Sequence, residues 1–173
     1  MKILLLVVTV LLALALLVAL VVFLAGRRLP ERHTSRLTVL LPAARLAVWS
    51  VITDYPRMPE WWPAVRTIRL EARPNGETWT WNTDGAGQEI AFRTREQRVP
   101  SRLVREMMGA DLPFGGTWTF ELAEEGANTR LTLTEDGFIR SPLFRATARY
   151  FLGLDRTLKD FAISLEKRLA GTR

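Results

Sequence analysis

Two kinds of residue in this chain have chemistry to offer: an acid and a base set among apolar neighbours, and a group of large rings. Glu135 follows Leu131 and Leu133 at a spacing of two, so on a strand all three share one face. A carboxyl on an apolar face has its pKa raised by desolvation or else has a cationic partner. Arg105 lies between Leu103 and Met107 at the same spacing. It is a candidate partner for Glu135, or a clamp for the polar head of a ligand. Such a pair would hold or protonate a bound substrate. The bland alternative places both at strand ends, in water.

Composition removes most other chemistries. The 173 residues contain no cysteine, which excludes disulfides, thiolate metal sites and cysteine nucleophiles. His33 is the only histidine, so histidine clusters and a histidine-based triad in the folded domain are excluded too. No Gly-x-Ser-x-Gly and no phosphate-binding glycine-rich lysine loop occurs. Neither a metal nor a cofactor is expected, and no catalytic residue is assigned. The net charge is +6, and all but three of the 24 basic residues are arginine. They are scattered among acids, which argues against nucleic acid as a partner. The excess reflects base composition or favours an anionic membrane surface.

The rings are more informative. There are six tryptophans, and four form close pairs. Trp61 and Trp62 sit between Pro59 and Pro63. They either form a lid at a cavity mouth, meeting an apolar ligand or the bilayer interface, or pack short helices onto a sheet. Trp79, Trp81, Phe92, Met107, Trp118 and Phe120 occupy strand positions. They either fill an interior or line a pocket, where the flexible Met107 would suit a variable ligand.

These side chains need a scaffold. Residues 37–41 read as a strand, and Pro42 then opens a helix to Thr53. Three prolines between Pro56 and Pro63 permit only a short broken helix. From Val65 the hydrophobic period is two. Six strands follow, over 65–71, 78–82, 89–98, 102–108, 117–122 and 129–135, separated by turn residues. Ser141-Pro142 starts a helix running to about Ala170, with Gly153 as a bend. Leu154, Leu158, Phe161, Leu165 and Leu169 form its apolar stripe. Leu158 is therefore placed with the cavity candidates.

Ahead of this lies Ile3–Ala25, uncharged and almost wholly apolar. As a helix it spans about 35 Å, against about 30 Å of bilayer hydrocarbon. It reads as an uncleaved single-pass anchor, with a cleaved signal peptide as the alternative. The expected organisation is an anchor over 1–26, a juxtamembrane linker over 27–36 with a solvated His33, and a folded domain over 37–173. Arg27, Arg28, Arg32 and Arg36 outnumber Lys2 across the apolar run, which puts the domain in the cytoplasm at the cell membrane.

The fold class is α+β: a curved antiparallel sheet of six or seven strands around a long C-terminal helix. A sheet this wide is not covered by one helix, so the remaining space is filled by side chains or stays as an apolar cavity. This order resembles the helix-grip fold of the START-related, polyketide cyclase/dehydrase and lipid-transport superfamily. The run from Val48 to Pro63, with Trp49, Asp54, Pro56, Trp61 and Pro63, is similar to the family's first-helix signature. The run from Thr134 to Arg145 is similar to the strand–helix junction of bacterial, often membrane-anchored, members. The resemblance implies a fold over Leu37 to about Ala170, with Asp54 as a structural turn residue.

It leaves function open. The leading expectation is a membrane-anchored domain that binds or transfers a hydrophobic, lipid-like small molecule. A cyclase- or dehydratase-like enzyme for a polyketide or aromatic substrate is the second. A module binding another envelope protein, of unknown identity, is the third.

Overall fold

Segments whose apolar side chains repeat every second residue can bury one face only by joining a sheet. Seven of them do so here. The computed structural model describes residues 1–109 and 112–171. In chain order it has α1 (Lys2–Arg28), β1 (Arg32–Leu41), α2 (Arg45–Thr53), a 3-10 turn (Tyr55–Glu60), and β2 (Thr67–Ala72). Then come β3 (Thr78–Thr83), β4 (Glu89–Arg98), β5 (Arg102–Met108), β6 (Phe114–Glu125) and β7 (Asn128–Ile139). The chain ends with α3 (Pro142–Thr147), a π-helical turn (Ala148–Leu152) and α4 (Arg156–Ala170). The last two residues of the expected domain lie outside the described residues.

The sheet is antiparallel in the order β1-β7-β6-β5-β4-β3-β2. α2 and the 3-10 turn carry the chain from one edge to the other, and the meander returns it to β7 beside β1. A register shift between Thr94 and Glu96 places a bulge in β4 and bends the sheet. Its concave face packs on α2 and α4 in the helix-grip manner. The core joins Val48, Trp49 and Ile52 of α2 to Leu103, Phe120, Leu131 and Leu133 of the sheet. Leu158, Phe161, Leu165 and Leu169 of α4 complete it, so the expected stripe is the buried one.

Three features differ from the expectation. β1 begins at Arg32, not Leu37, because β7 continues to Ile139 and pairs with it from Arg32↔Phe138 onward. The polar run expected as a linker is thus mostly strand, and only Leu29–Glu31 separates it from α1. α2 begins at Arg45 rather than at Pro42; the intervening turn is tied to the sheet by Thr129 Oγ1, which donates to the Ala43 carbonyl at 2.7 Å.

The third is the C-terminal helix, which is broken rather than bent. Ser141 caps α3, accepting from the Phe144 amide at 3.3 Å. The π-helical turn then ends at Gly153, whose φ is +82°. That conformation is costly for any residue with a Cβ. Gly153→Ala should therefore destabilise the full chain by about 1 kcal/mol. The check is a fall in thermal midpoint of about 2–4 °C.

α1 is long and apolar enough to cross a membrane. Its end is not free. Val22, Ala25, Gly26 and Leu29 form one covered face, while residues 1–21 are exposed throughout. Gly26 touches α3 so closely that a Cβ there would collide with the Pro142 carbonyl. Buried Arg145 fastens the joint. Its guanidinium donates to the carbonyls of Gly26 (3.1 Å) and Ile139 (3.1 Å) and pairs with Glu31 (3.0 Å).

Candidate ligand-binding cavity

The break at Gly153 leaves part of the concave face without a helix over it. A cavity of about 330 Å³ occupies that part. β3 to β7 supply its floor, with Phe92, Met107, Trp118 and Phe120. Ile52, Tyr55, Met58 and Trp62 line it from α2 and the segment that follows; Phe144, Ala148, Leu152, Leu154 and Phe161 line it from the C-terminal helical segments. Phe144 and Leu152 also face solvent, being 40% and 43% exposed. The mouth therefore lies at α3 and the π-helical turn.

Phe161 separates cavity from core. Its ring packs edge-on against Trp61, Trp62, Trp118 and Phe120, with centroid distances of 5.3, 5.0, 5.7 and 5.6 Å. Edge-to-face contacts at such distances are favourable beyond the area they bury. The tryptophan pair thus divides: Trp62 lines the cavity, whereas Trp61 packs behind Phe161 and does not.

Across this apolar floor runs a line of polar side chains. Arg105 on β5 is 8% exposed and donates to Thr80 Oγ1 at 2.6 Å and Thr94 Oγ1 at 2.8 Å. Its guanidinium carbon lies 4.2 Å from the centre of the Tyr55 ring. Burial pushes its pKa below the ordinary arginine value, with Tyr55 opposing; arginine nonetheless stays charged. Among the described residues no carboxylate pairs with it. The expected Arg105–Glu135 pair does not form. Arg105 faces Trp118 across one strand pair, and Trp118 faces Glu135 across the next. Two strand spacings amount to about 9.5 Å, and the indole stands between the charges.

Glu135 does line the cavity. Burial pushes its pKa up, with a hydrogen bond from Trp118 opposing. His33 lines the same cavity from β1, its ring lying over Gly137. Burial pushes its pKa down, with Asp136 opposing. Two polar atoms on lining residues are buried without a hydrogen-bond partner among the described residues: Trp62 Nε1 and Asn82 Oδ1. Buried polar groups normally find partners. A molecule in the cavity with a polar end would supply them.

Three other candidates fall elsewhere. Trp79 and Trp81 lie on the outer face of the sheet, because Thr80 and Asn82 take the inward positions of β3. Their indole N–H groups donate to Glu77 and Glu71. Arg73 and Arg69 cover their rings at 4.0 and 5.2 Å, which shields them from water. Leu158 is wholly buried in the core and does not reach the cavity. Conversely, His33, expected as a solvated linker residue, is an inward strand residue. The alternation of His33, Ser35, Leu37, Val39 and Leu41 was the available signal.

The raised Glu135 pKa has a measurable consequence. The folded form holds this proton more tightly than the unfolded chain does. Its contribution to stability is therefore full below the ordinary carboxyl value and is lost as pH rises through the raised value. His33 acts in the opposite sense, its contribution falling as pH drops below its ordinary value. The difference between the wild-type chain and Glu135→Gln isolates the carboxyl. Denaturation across the acid-to-neutral range should show the variant gaining relative stability as pH rises, and a flat difference would contradict the burial.

Comparison with known proteins agrees with this geometry. No curated protein matches the sequence. Among solved structures, a START superfamily protein from Mycobacterium smegmatis is 20% identical and aligns over 82% of this chain and 99% of its own, with a TM-score of 0.61. The Zhui aromatase/cyclase from a Streptomyces species is 14% identical over 80% and 94%, with a TM-score of 0.65. A protein from Thermobifida fusca is 23% identical over 79% and 92%, with a TM-score of 0.60. At these identities the likeness shows the fold. Residues 32–169 match the family described as polyketide cyclase/dehydrase and lipid transport, and with four-fifths of its length inside that match the chain belongs to this family.

Proposed function

We propose that the domain binds a hydrophobic, lipid-like molecule whose polar end is rich in acceptors, such as a carboxylate, and that α1 anchors it in the cell membrane. The carrying observation is Arg105, a buried cation with no carboxylate partner among the described residues, set in a largely apolar cavity. An unpaired buried charge is costly, and a ligand acceptor relieves that cost. The cavity volume lies at the lower end of the range typical of small-molecule sites. The flanking arginines favour a domain on the cytoplasmic side.

The test is extraction of the purified full chain with organic solvent, mass spectrometry of the extract, and titration with a fluorescent long-chain carboxylate. Co-purification of an amphipathic lipid and saturable binding support the reading. An empty extract with no saturable uptake would overturn it.

One observation favours a second reading, a cyclase- or dehydratase-like enzyme. Glu135 and His33 line one cavity, and burial drives both toward their neutral forms. A neutral carboxyl can donate a proton to a bound substrate. If Glu135→Gln left the turnover of every tested polyketide-like substrate unchanged, that role for the acid would fail.

A further inference from the structure

Beyond the N-terminal segment that ends with α1, ten large apolar side chains are exposed among the described residues. Five of them are scattered. The other five, Leu143, Phe144, Tyr150, Phe151 and Leu152, fall within ten residues on α3 and the π-helical turn. Phe151 is 76% exposed and Tyr150 is 62%. An apolar patch gathered in this way marks a contact surface, unlike single exposed leucines.

The joint to α1 says what covers it. α3 packs against the helix face running from Val22 to Leu29. That face extends about 10 Å along the axis, and its first half belongs to the uncharged run that ends at Ala25. α3 therefore stands beside the last apolar turns of the spanning segment, at the depth where a bilayer's hydrocarbon gives way to headgroups. The Gly26–Pro142 contact and the Arg145 hydrogen bonds hold it there. The composition suits that depth. Tyr is enriched at the interface, Phe and Leu enter it from the apolar face of interfacial helices, and Arg27, Arg28 and Arg149 are exposed nearby, where they suit a phosphate layer, with Glu31 among them. Phe144 and Leu152 belong both to this patch and to the cavity mouth.

We propose that α3 and the π-helical turn rest in the headgroup–acyl boundary of the bilayer that α1 crosses, and form the portal through which a lipid passes between that leaflet and the cavity. The inference rests on the hydrophobic-ligand and anchor readings above. The helix break at Gly153 gives the portal its opening, since a continuous helix would lie across it.

The chain has no cysteine, so single-cysteine variants each carry one label. Phe151→Cys and Val99→Cys, labelled with an environment-sensitive fluorophore, are placed as full chains in nanodiscs of phosphatidylcholine and phosphatidylglycerol containing doxyl-labelled lipid. Val99 is also exposed but lies in the β4–β5 turn, at the far end of the sheet. Strong quenching at 151 and little at 99 is expected. Equal quenching overturns the proposal, as does a label at 151 shielded from water but not quenched by lipid, which would mean that a protein covers the patch. In a second arm, the double variant Tyr150→Ser with Phe151→Asp, neither of which lines the cavity, is mixed with vesicles carrying a fluorescent long-chain carboxylate. Uptake should slow by about tenfold, while affinity measured in detergent stays within about twofold. An unchanged uptake rate removes the portal. Absence of binding by the wild-type chain would instead fail the ligand reading, and the labelling arm would still decide contact with the bilayer.

Discussion

Phe161→Ala should destabilise the folded domain by about 3–5 kcal/mol. The ring is 1% exposed and is the one member shared by four aromatic contacts. Its removal deletes apolar contact area and leaves a void that Trp62 and Trp118 cannot fill without leaving their places beside the cavity. The void would also merge with the cavity, because Phe161 forms part of the wall. Thermal unfolding of the detergent-solubilised full chain is the measurement, and a drop of about 6 °C or more is expected. A loss under about 1 kcal/mol would show that the cluster yields easily and does not hold α4 to the sheet. Phe161→Leu keeps part of the volume and should fall between the two.

Arg105→Leu should separate binding from stability. The guanidinium has no ionic partner among the described residues, so its replacement by an apolar side chain should leave the thermal midpoint unchanged or raise it. Binding should suffer. Truncating one member of a buried, hydrogen-bonded charge pair costs about 2–5 kcal/mol, which corresponds to a loss of affinity of about 30-fold or more for a long-chain carboxylate. The matching alcohol, which brings no charge, should bind the variant nearly as well as the wild type. If carboxylate and alcohol lose affinity equally, Arg105 shapes the pocket but does not read the ligand's charge.

How far the sequence leads can be judged residue by residue. The strands of the meander are legible because one face of each is apolar and the other polar. The period of two in Leu131, Leu133 and Glu135 places the carboxyl inside, where it is found. The Leu158–Leu169 stripe gives the face of α4 for the same reason. Trp79 and Trp81 mislead because β3 alternates Thr with Trp. Hydrophobicity alone would bury the rings, yet arginines from neighbouring positions cover them outside while the threonine inside serves Arg105. His33 is missed because the first half of β1 is polar in composition; only pairing with β7 makes it a strand. Trp61 and Trp62 are adjacent in a short broken helix, and no periodicity says which ring turns toward the pocket. The Arg105–Glu135 pair fails for want of register: sharing a face is visible in sequence, whereas the intervening β6 with Trp118 is not.

The three-residue join between α1 and β1, braced by Arg145, limits what such a protein could do with its cargo. Three residues span at most about 10 Å, so the domain has no leash on which to swing toward a second bilayer. On the reading proposed above it works as a fixed berth at its own leaflet, not as a ferry. Cargo must arrive and depart by lateral diffusion, or be collected by a visitor that comes to it.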